Sequence, residues 1–351
     1  MRVDHPLARP GARGFSLVEL MIGLVIGLLV SLAALSSLRV FTNEQRQGTV
    51  SGAGVLNAAA ALGAIKNDVA AVGLGFFDGR RPLCDRLNLS FGSSALFNST
   101  SFAPLSITRT LGNDQIDVLY ASDVSAGVSL PISTASNGTQ INVESILPVS
   151  VGQTVLLAPA STGLCTVRSV TASVAGTLDT PQIVSFGAAG QHNQVNFNTA
   201  PAYAARARAT LLGQLQWHRY RLVDGNLVLE QPLTGASAVL VRNVIALRAE
   251  YGVSASGSTT LQDWQDPTDA GWSSLTPANI GRVRALRLGL VTRVAQREKA
   301  DSSGNCTASA AKPRIFEMEV EPDVSDWRCF RFRNSTLVVP LRNLVWGQVP
   351  A

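Results

Sequence analysis

The sequence predicts an α+β protein in which a long N-terminal α-helix precedes an antiparallel, β-rich domain. Two observations carry that prediction. Residues 20–38 contain no charged side chain, and a second apolar stripe follows downstream at helical spacing. Beyond it, several separate segments place apolar residues at every second position, the period of half-buried antiparallel strands.

The helix comes first. With residues 15–18 in front, the uncharged run is long enough to cross a bilayer as a helix of about 20 residues. It is too long for the apolar region of a secretory signal, and no A-x-A site closes it. Arg2, Arg9 and Arg13 precede it, which predicts a cytoplasmic N-terminus and an outward-facing bulk. Glu19 interrupts the apolar stretch near its start. A charge deep in a bilayer costs on the order of 2.5–3.5 kcal/mol, so Glu19 either snorkels to the interface or forms an ion pair when subunits pack.

Residues 42–51 are polar, and then Leu62, Ile65, Val69 and Val72 return at spacings that fall on one helix face. Gly48, Gly52 and Gly54 lie between the two apolar stretches. Each weakens a helix interior by up to about 1 kcal/mol relative to Ala, so a kink or melted segment is expected there. A helix from residue 15 to about residue 72 would be on the order of 85 Å long. Gly73-Leu74-Gly75 is expected to end it.

The strands follow. Ile116, Val118 and Tyr120 alternate with their neighbours. Residues 217–223 and 227–229 flank Asp224-Gly225-Asn226, a hairpin signal. Ile245, Leu247, Ala249, Tyr251 and Val253 share one parity, as do Leu286, Leu288 and Leu290, with Arg284, Arg287 and Arg293 nearby. Segments 121–140 and 158–200 are rich in Ser, Thr, Gly, Ala and Asn and read as long loops or irregular β structure. No repeat or clear linker divides this part.

Composition fits an exported, loop-rich β protein: 46% of the 351 residues are hydrophobic and only 15% charged. The net charge is +5; Arg2, Arg9 and Arg13 less Asp4 account for +2, leaving about +3 for the rest. That is too little to expect a nucleic-acid partner. Cys84, Cys165, Cys306 and Cys329 all follow the apolar run, with no CxxC pair. Two disulfides in an oxidising compartment are expected, the alternative being four buried thiols. Of three connectivities, Cys84–Cys165 with Cys306–Cys329 costs the least loop entropy.

Chemistry-bearing motifs are sparse, and no catalytic residue, metal or cofactor is expected. After residue 14 the only histidines are His192 and His218, both read as structural or exposed. Gly73-Leu74-Gly75 has Asp78 where a dinucleotide loop has its third glycine. No Walker A motif or G-x-S-x-G elbow occurs. Asp263, Asp266 and Asp269 have the wrong spacing for an EF-hand. Asn88, Asn98 and Asn334 begin Asn-x-Ser/Thr triplets, to which no role is assigned. Trp264 and Trp272 are expected in or near the core.

The N-terminal residues also carry a resemblance. Gly14-Phe15-Ser16-Leu17-Val18-Glu19-Leu20-Met21-Ile22-Gly23 resembles the processing signal of type IV pilins and pseudopilins. The resemblance implies cleavage after Gly14 by a prepilin peptidase, methylation of Phe15, and pairing of Glu19 with the N-terminal amine of a neighbouring subunit. It also implies a helix half in the membrane and half packed on a β-sheet. Residues 55–77, 239–253, 280–294 and 331–346 resemble PilW-type minor pilins, whereas 84–210 resembles nothing identifiable.

The implied boundaries are a leader at 1–14, a transmembrane and assembly helix at 15–41, its amphipathic continuation at 42–75, and a periplasmic or filament β-rich domain at 76–351. The implied role is a non-enzymatic minor pilin that initiates type IV pilus assembly near the tip. The implied partners are other minor and major pilins and a PilY-type tip adhesin. Its expected location is the inner membrane before assembly and the pilus at the cell surface afterwards. A minor pseudopilin of type II secretion is the alternative, and a membrane-anchored periplasmic enzyme a remote one.

Overall fold

The computed structural model describes residues 17–78, 81–122, 129–144, 146–177, 179–199 and 202–345. Side chains 19–20 and 33–57, among others, lie outside the described set. The chain divides into two units, residues 1–53 and residues 54–351. The first holds the start of a helix, Leu17–Ala71, whose end belongs to the second. The backbone is helical through Gly48, Gly52 and Gly54, so no melted segment lies there. The helix stops at Ala71, and Gly73 and Gly75 take φ of 77° and 87°. That left-handed conformation is open to glycine at little cost.

The second unit is β-rich and mostly antiparallel. A five-stranded sheet runs in the order Ala236–Arg242, Asn226–Gln231, Leu215–Val223, Asn113–Ala121, Leu105–Thr110. A four-stranded sheet runs Asp263–Gln265, Val244–Val253, Val283–Arg293, Phe332–Pro340. Both sheets pack against the last turns of the helix. Ala58, Ala61, Leu62, Ile65, Val69 and Val72 share one core with Ile116, Val118 and Tyr220 of the first sheet and Leu247, Leu286 and Leu288 of the second.

Side chains close the seam between these sheets. The Ala249 N–H donates to Asp114 Oδ2 at 2.7 Å, and Leu247 N–H to Asn113 Oδ1 at 3.2 Å. In return Ile107 N–H donates to the buried Tyr251 hydroxyl at 2.9 Å. These bonds satisfy backbone donors that a sheet edge would otherwise leave exposed. Asp114 also receives Arg109 Nε at 2.6 Å, and Arg109 Nη1 reaches Asp266 at 2.9 Å.

A six-stranded sheet covers the other face of the five-stranded one. Its order is Ser94–Ser101, Cys84–Phe91, Gly163–Ser169, Thr154–Ala158, Arg208–Gly213, Ser129–Pro131. Only the pair Cys84–Phe91 with Gly163–Ser169 is parallel in it. Leu119, Ala121 and Trp217 meet Leu87, Leu89, Leu156 and Val167 in a second core. A third core lies beyond, where Val155, Leu157 and Leu211 meet Ile141, Val143 and Val184 of a three-stranded sheet. That small sheet is Ala172–Val174, Gln182–Ser185, Gln140–Val143. Segments 121–140 and 158–200 thus contribute short ordered strands as well as loops.

The hairpin turns on Asp224 and Gly225, with φ of 48° and 70°. Positive φ at both central residues is the conformation that two-residue hairpins favour. The strand at 244–253 departs from simple alternation at its start. Leu247, Ala249, Tyr251 and Val253 face the helix core, but a register shift between Val244 and Ala246 turns Ile245 to a separate cluster with Val291, Ile315 and Val320. A bulge of that kind reverses the parity of everything before it.

Candidate functional site

Two features bear on function: the exposed start of the helix and the polar anchor at its end. Gly14 and Phe15 lie outside the described residues, as does the side chain of Glu19. Just beyond them the described side chains from Leu17 to Leu32 are open to solvent. Leu17 is 77% exposed, Met21 61% and Leu29 60%. The Ser31 hydroxyl donates to the Gly27 carbonyl at 2.8 Å, so the one hydroxyl in this apolar stretch is satisfied within its own helix. A helix apolar all round is one that something apolar surrounds. Among the described residues, no helix is long and apolar enough to cross a membrane.

The far end of the helix is fixed by polar contacts as well as by the apolar stripe. Asp68 accepts hydrogen bonds from His218 Nδ1 at 2.5 Å, Tyr220 Oη at 2.5 Å and Tyr120 Oη at 2.8 Å. His218 and Tyr220 lie two apart on one strand, and Val118 and Ile116 stand opposite them on the next. All three donors therefore rise from one face of the sheet toward the helix. Burial pushes the Asp68 carboxyl up, but the hydrogen bonds from His218, Tyr220 and Tyr120 and the His218 charge outweigh it and hold it below the usual aspartate range. Burial and the Asp68 charge push both tyrosine hydroxyls up. Asn343 Nδ2 completes the anchor by donating to the Ala70 and Val72 carbonyls at 3.4 and 3.2 Å, groups that a helix end leaves without intrahelical partners.

The remaining sequence candidates are structural. Cys84 pairs with Cys165 and Cys306 with Cys329, each Cys with its nearest neighbour in sequence. The first bridge ties the parallel pair of strands inside the second core. His192 is buried, with its ring Nδ1 2.5 Å from the Ser90 carbonyl, and burial pushes its pKa down. Asp266 pairs with Arg109, while Asp269 and Asp263 accept backbone N–H groups of their own loop. No metal-binding group of His, Cys, Asp and Glu occurs among the described residues. Asn88 is fully buried and donates to the Thr199 carbonyl. Trp272 is buried beside Tyr251, and Trp264 lies 4.7 Å from Arg287, which pairs with Glu250. A Cβ on Gly252 would come within 2.8 Å of the Trp264 ring, which explains the glycine in Tyr251-Gly252-Val253.

Sequence reasoning missed the Asp68 anchor. Its signal was a single acid between Ile65 and Val69 on the apolar stripe, but its partners lie 52 to 152 residues away.

Residues 203–343 match the family model of the Type IV Pilus-assembly protein W. Residues 9–35 match the prokaryotic N-terminal methylation motif. No curated protein matches the chain. A type IV-like pilin from Thermus thermophilus aligns at 11% identity and a TM-score of 0.36, over 83% of this chain and 97% of that one; so loose a likeness carries no argument. The methylation-motif match contains the exposed apolar helix start, and a β-rich unit follows it in the chain. Over the helix-packed sheets, residues 203–343 are thus similar to PilW-type pilus-assembly proteins.

Proposed function

We propose that this chain is a minor pilin that is cut after Gly14, methylated at Phe15 and then joins other minor pilins to initiate type IV pilus assembly. Residues 15–41 hold it in the inner membrane before assembly, 42–75 continue the helix, and 76–351 form the periplasmic domain that later rides at the pilus tip. The supporting observation is the apolar, solvent-open helix start within a methylation-motif match. Such a surface needs either lipid or neighbouring helices around it. A PilY-type adhesin is the partner proposed at the tip. The pseudopilin alternative shares the N-terminal motif but does not account for the match at 203–343.

In this reading Glu19 serves assembly. Glu19→Ala makes the helix more apolar, so membrane insertion holds or improves. It leaves a neighbour's buried amine without its partner, at about 3–5 kcal/mol. The test compares sheared surface fibres with the membrane fraction for wild type and variant. Loss from fibres alone supports the proposal; equal loss from both fractions refutes it.

A further inference from the structure

We propose that the outer edge of the strand Phe332–Pro340 is a docking site for an extended strand of a partner protein, added to the four-stranded sheet by backbone pairing. The proposal rests on the domain's own sheet and does not depend on the pilin reading. Phe332–Pro340 pairs with Val283–Arg293 over nine consecutive residues without a register shift. On its other side it is an edge. Among the described residues, no group other than that neighbouring strand bonds the backbone of residues 333–339. An exposed, regular edge is a template for another strand, and proteins ordinarily blunt it with charge, proline, bulges or shortness.

The other edges of the three larger sheets are blunted. Ser94–Ser101 carries two register shifts against its neighbour. Ala236–Arg242 is broken by one that leaves Leu240 unpaired. Leu105–Thr110 is closed by Tyr251. Asp263–Gln265 and Ser129–Pro131 have three residues each. In Phe332–Pro340 the charge and the proline sit near the ends, at Arg333 and Pro340, and residues 334–339 are uncharged.

The surface on each side of this edge specifies the occupant. On one face Leu337 and Val339 border the helix core. On the other Asn334 and Thr336 are exposed, and Val338 is 48% exposed. A strand laid alongside continues both faces, so the matching partner alternates apolar residues beside Leu337 and Val339 with polar ones beside Asn334 and Thr336. Arg333 is exposed and has no ion pair among the described residues, so the partner carries an acid at that end.

The test uses the full-length chain in detergent and a synthetic peptide of alternating Thr and Val ending in Glu. Amide exchange of Asn334, Thr336 and Val338, whose N–H groups point away from Val283–Arg293, is read with and without it. The expected result is that these amides slow by about tenfold with the peptide, while a peptide of the same composition without alternation has no effect. Arg333→Glu should weaken binding by about two- to fivefold and favour a peptide ending in Lys. The proposal is overturned if the amides are already protected in the chain alone, as when its own C-terminal residues cover the edge. It is equally overturned if neither peptide slows them, or if both do so alike.

Discussion

The helix-packed sheets and the six-stranded sheet bury apolar surface in different ways. In the first region the helix takes one face of the sheets: Leu286, Leu288 and Leu290 all enter the helix core, with the half-buried Arg287 between them on the other face. In the second, strands are covered on both faces. All five residues of Thr154–Ala158 are buried, with Val155 and Leu157 in one core and Leu156 and Ala158 in another. A helix needs only one apolar face beneath it, whereas a sheet between two layers needs both. The family match covers residues 203–343, most of the helix-packed region, and leaves strands 84–101 and 129–185 outside it.

The two regions are also tied differently, and this can be broken experimentally. The largest effect is expected from Cys84→Ser with Cys165→Ser, which opens a loop of 81 residues. The chain-entropy model gives about 4.5 kcal/mol for that closure. The comparison is sharpened by Cys306→Ser with Cys329→Ser, whose 23-residue separation gives about 3.4 kcal/mol. Denaturant unfolding should rank the pairs in that order, with amide exchange rising in the six-stranded sheet only for the first.

Asp68→Ala is expected to cost about 3 kcal/mol, because it leaves His218, Tyr220 and Tyr120 aimed at a lost acceptor. Amide exchange should rise in residues 58–71 while the six-stranded sheet keeps its protection. Equal loosening of both regions would contradict the idea that the anchor serves the helix.

Acid should reproduce a smaller form of that effect. The Asp68 pKa is lowered in the folded protein, so the unfolded chain takes up its proton first as pH falls. The stabilisation is therefore full above about pH 4 and is lost as pH falls through the folded value. Asp68→Asn should flatten the acid limb of a stability–pH curve, leaving the part due to Asp266, whose pKa is also lowered. An unchanged limb would contradict this assignment.

The smallest effect is expected from Gly225→Ala in the hairpin turn, where φ is 70°. A loss of about 1 kcal/mol in denaturant unfolding is expected for a side chain forced into that region.

Legibility in sequence followed the same division. The stripe at Leu62, Ile65, Val69 and Val72 and the alternation at 286–290 were readable because polar or small residues, such as Asp68, Arg287 and Gly289, interleave with the apolar ones. The strand Thr154–Ala158 was not, since burial on both sides removes the alternation. Ile245 was misassigned because a bulge changes parity without leaving a mark in the sequence. The Asp68 anchor was invisible for another reason: each donor is ordinary in its own strand, and only the fold brings the three together. The functional reading came instead from residues 14–23, where local order alone carries the signal.

The central claim concerns that segment, and N-terminal mass spectrometry of protein extracted from membranes tests it most directly. The account predicts a mature chain beginning at Phe15 with a methylated amine. An intact Met1, or a start well beyond Phe15, would contradict it.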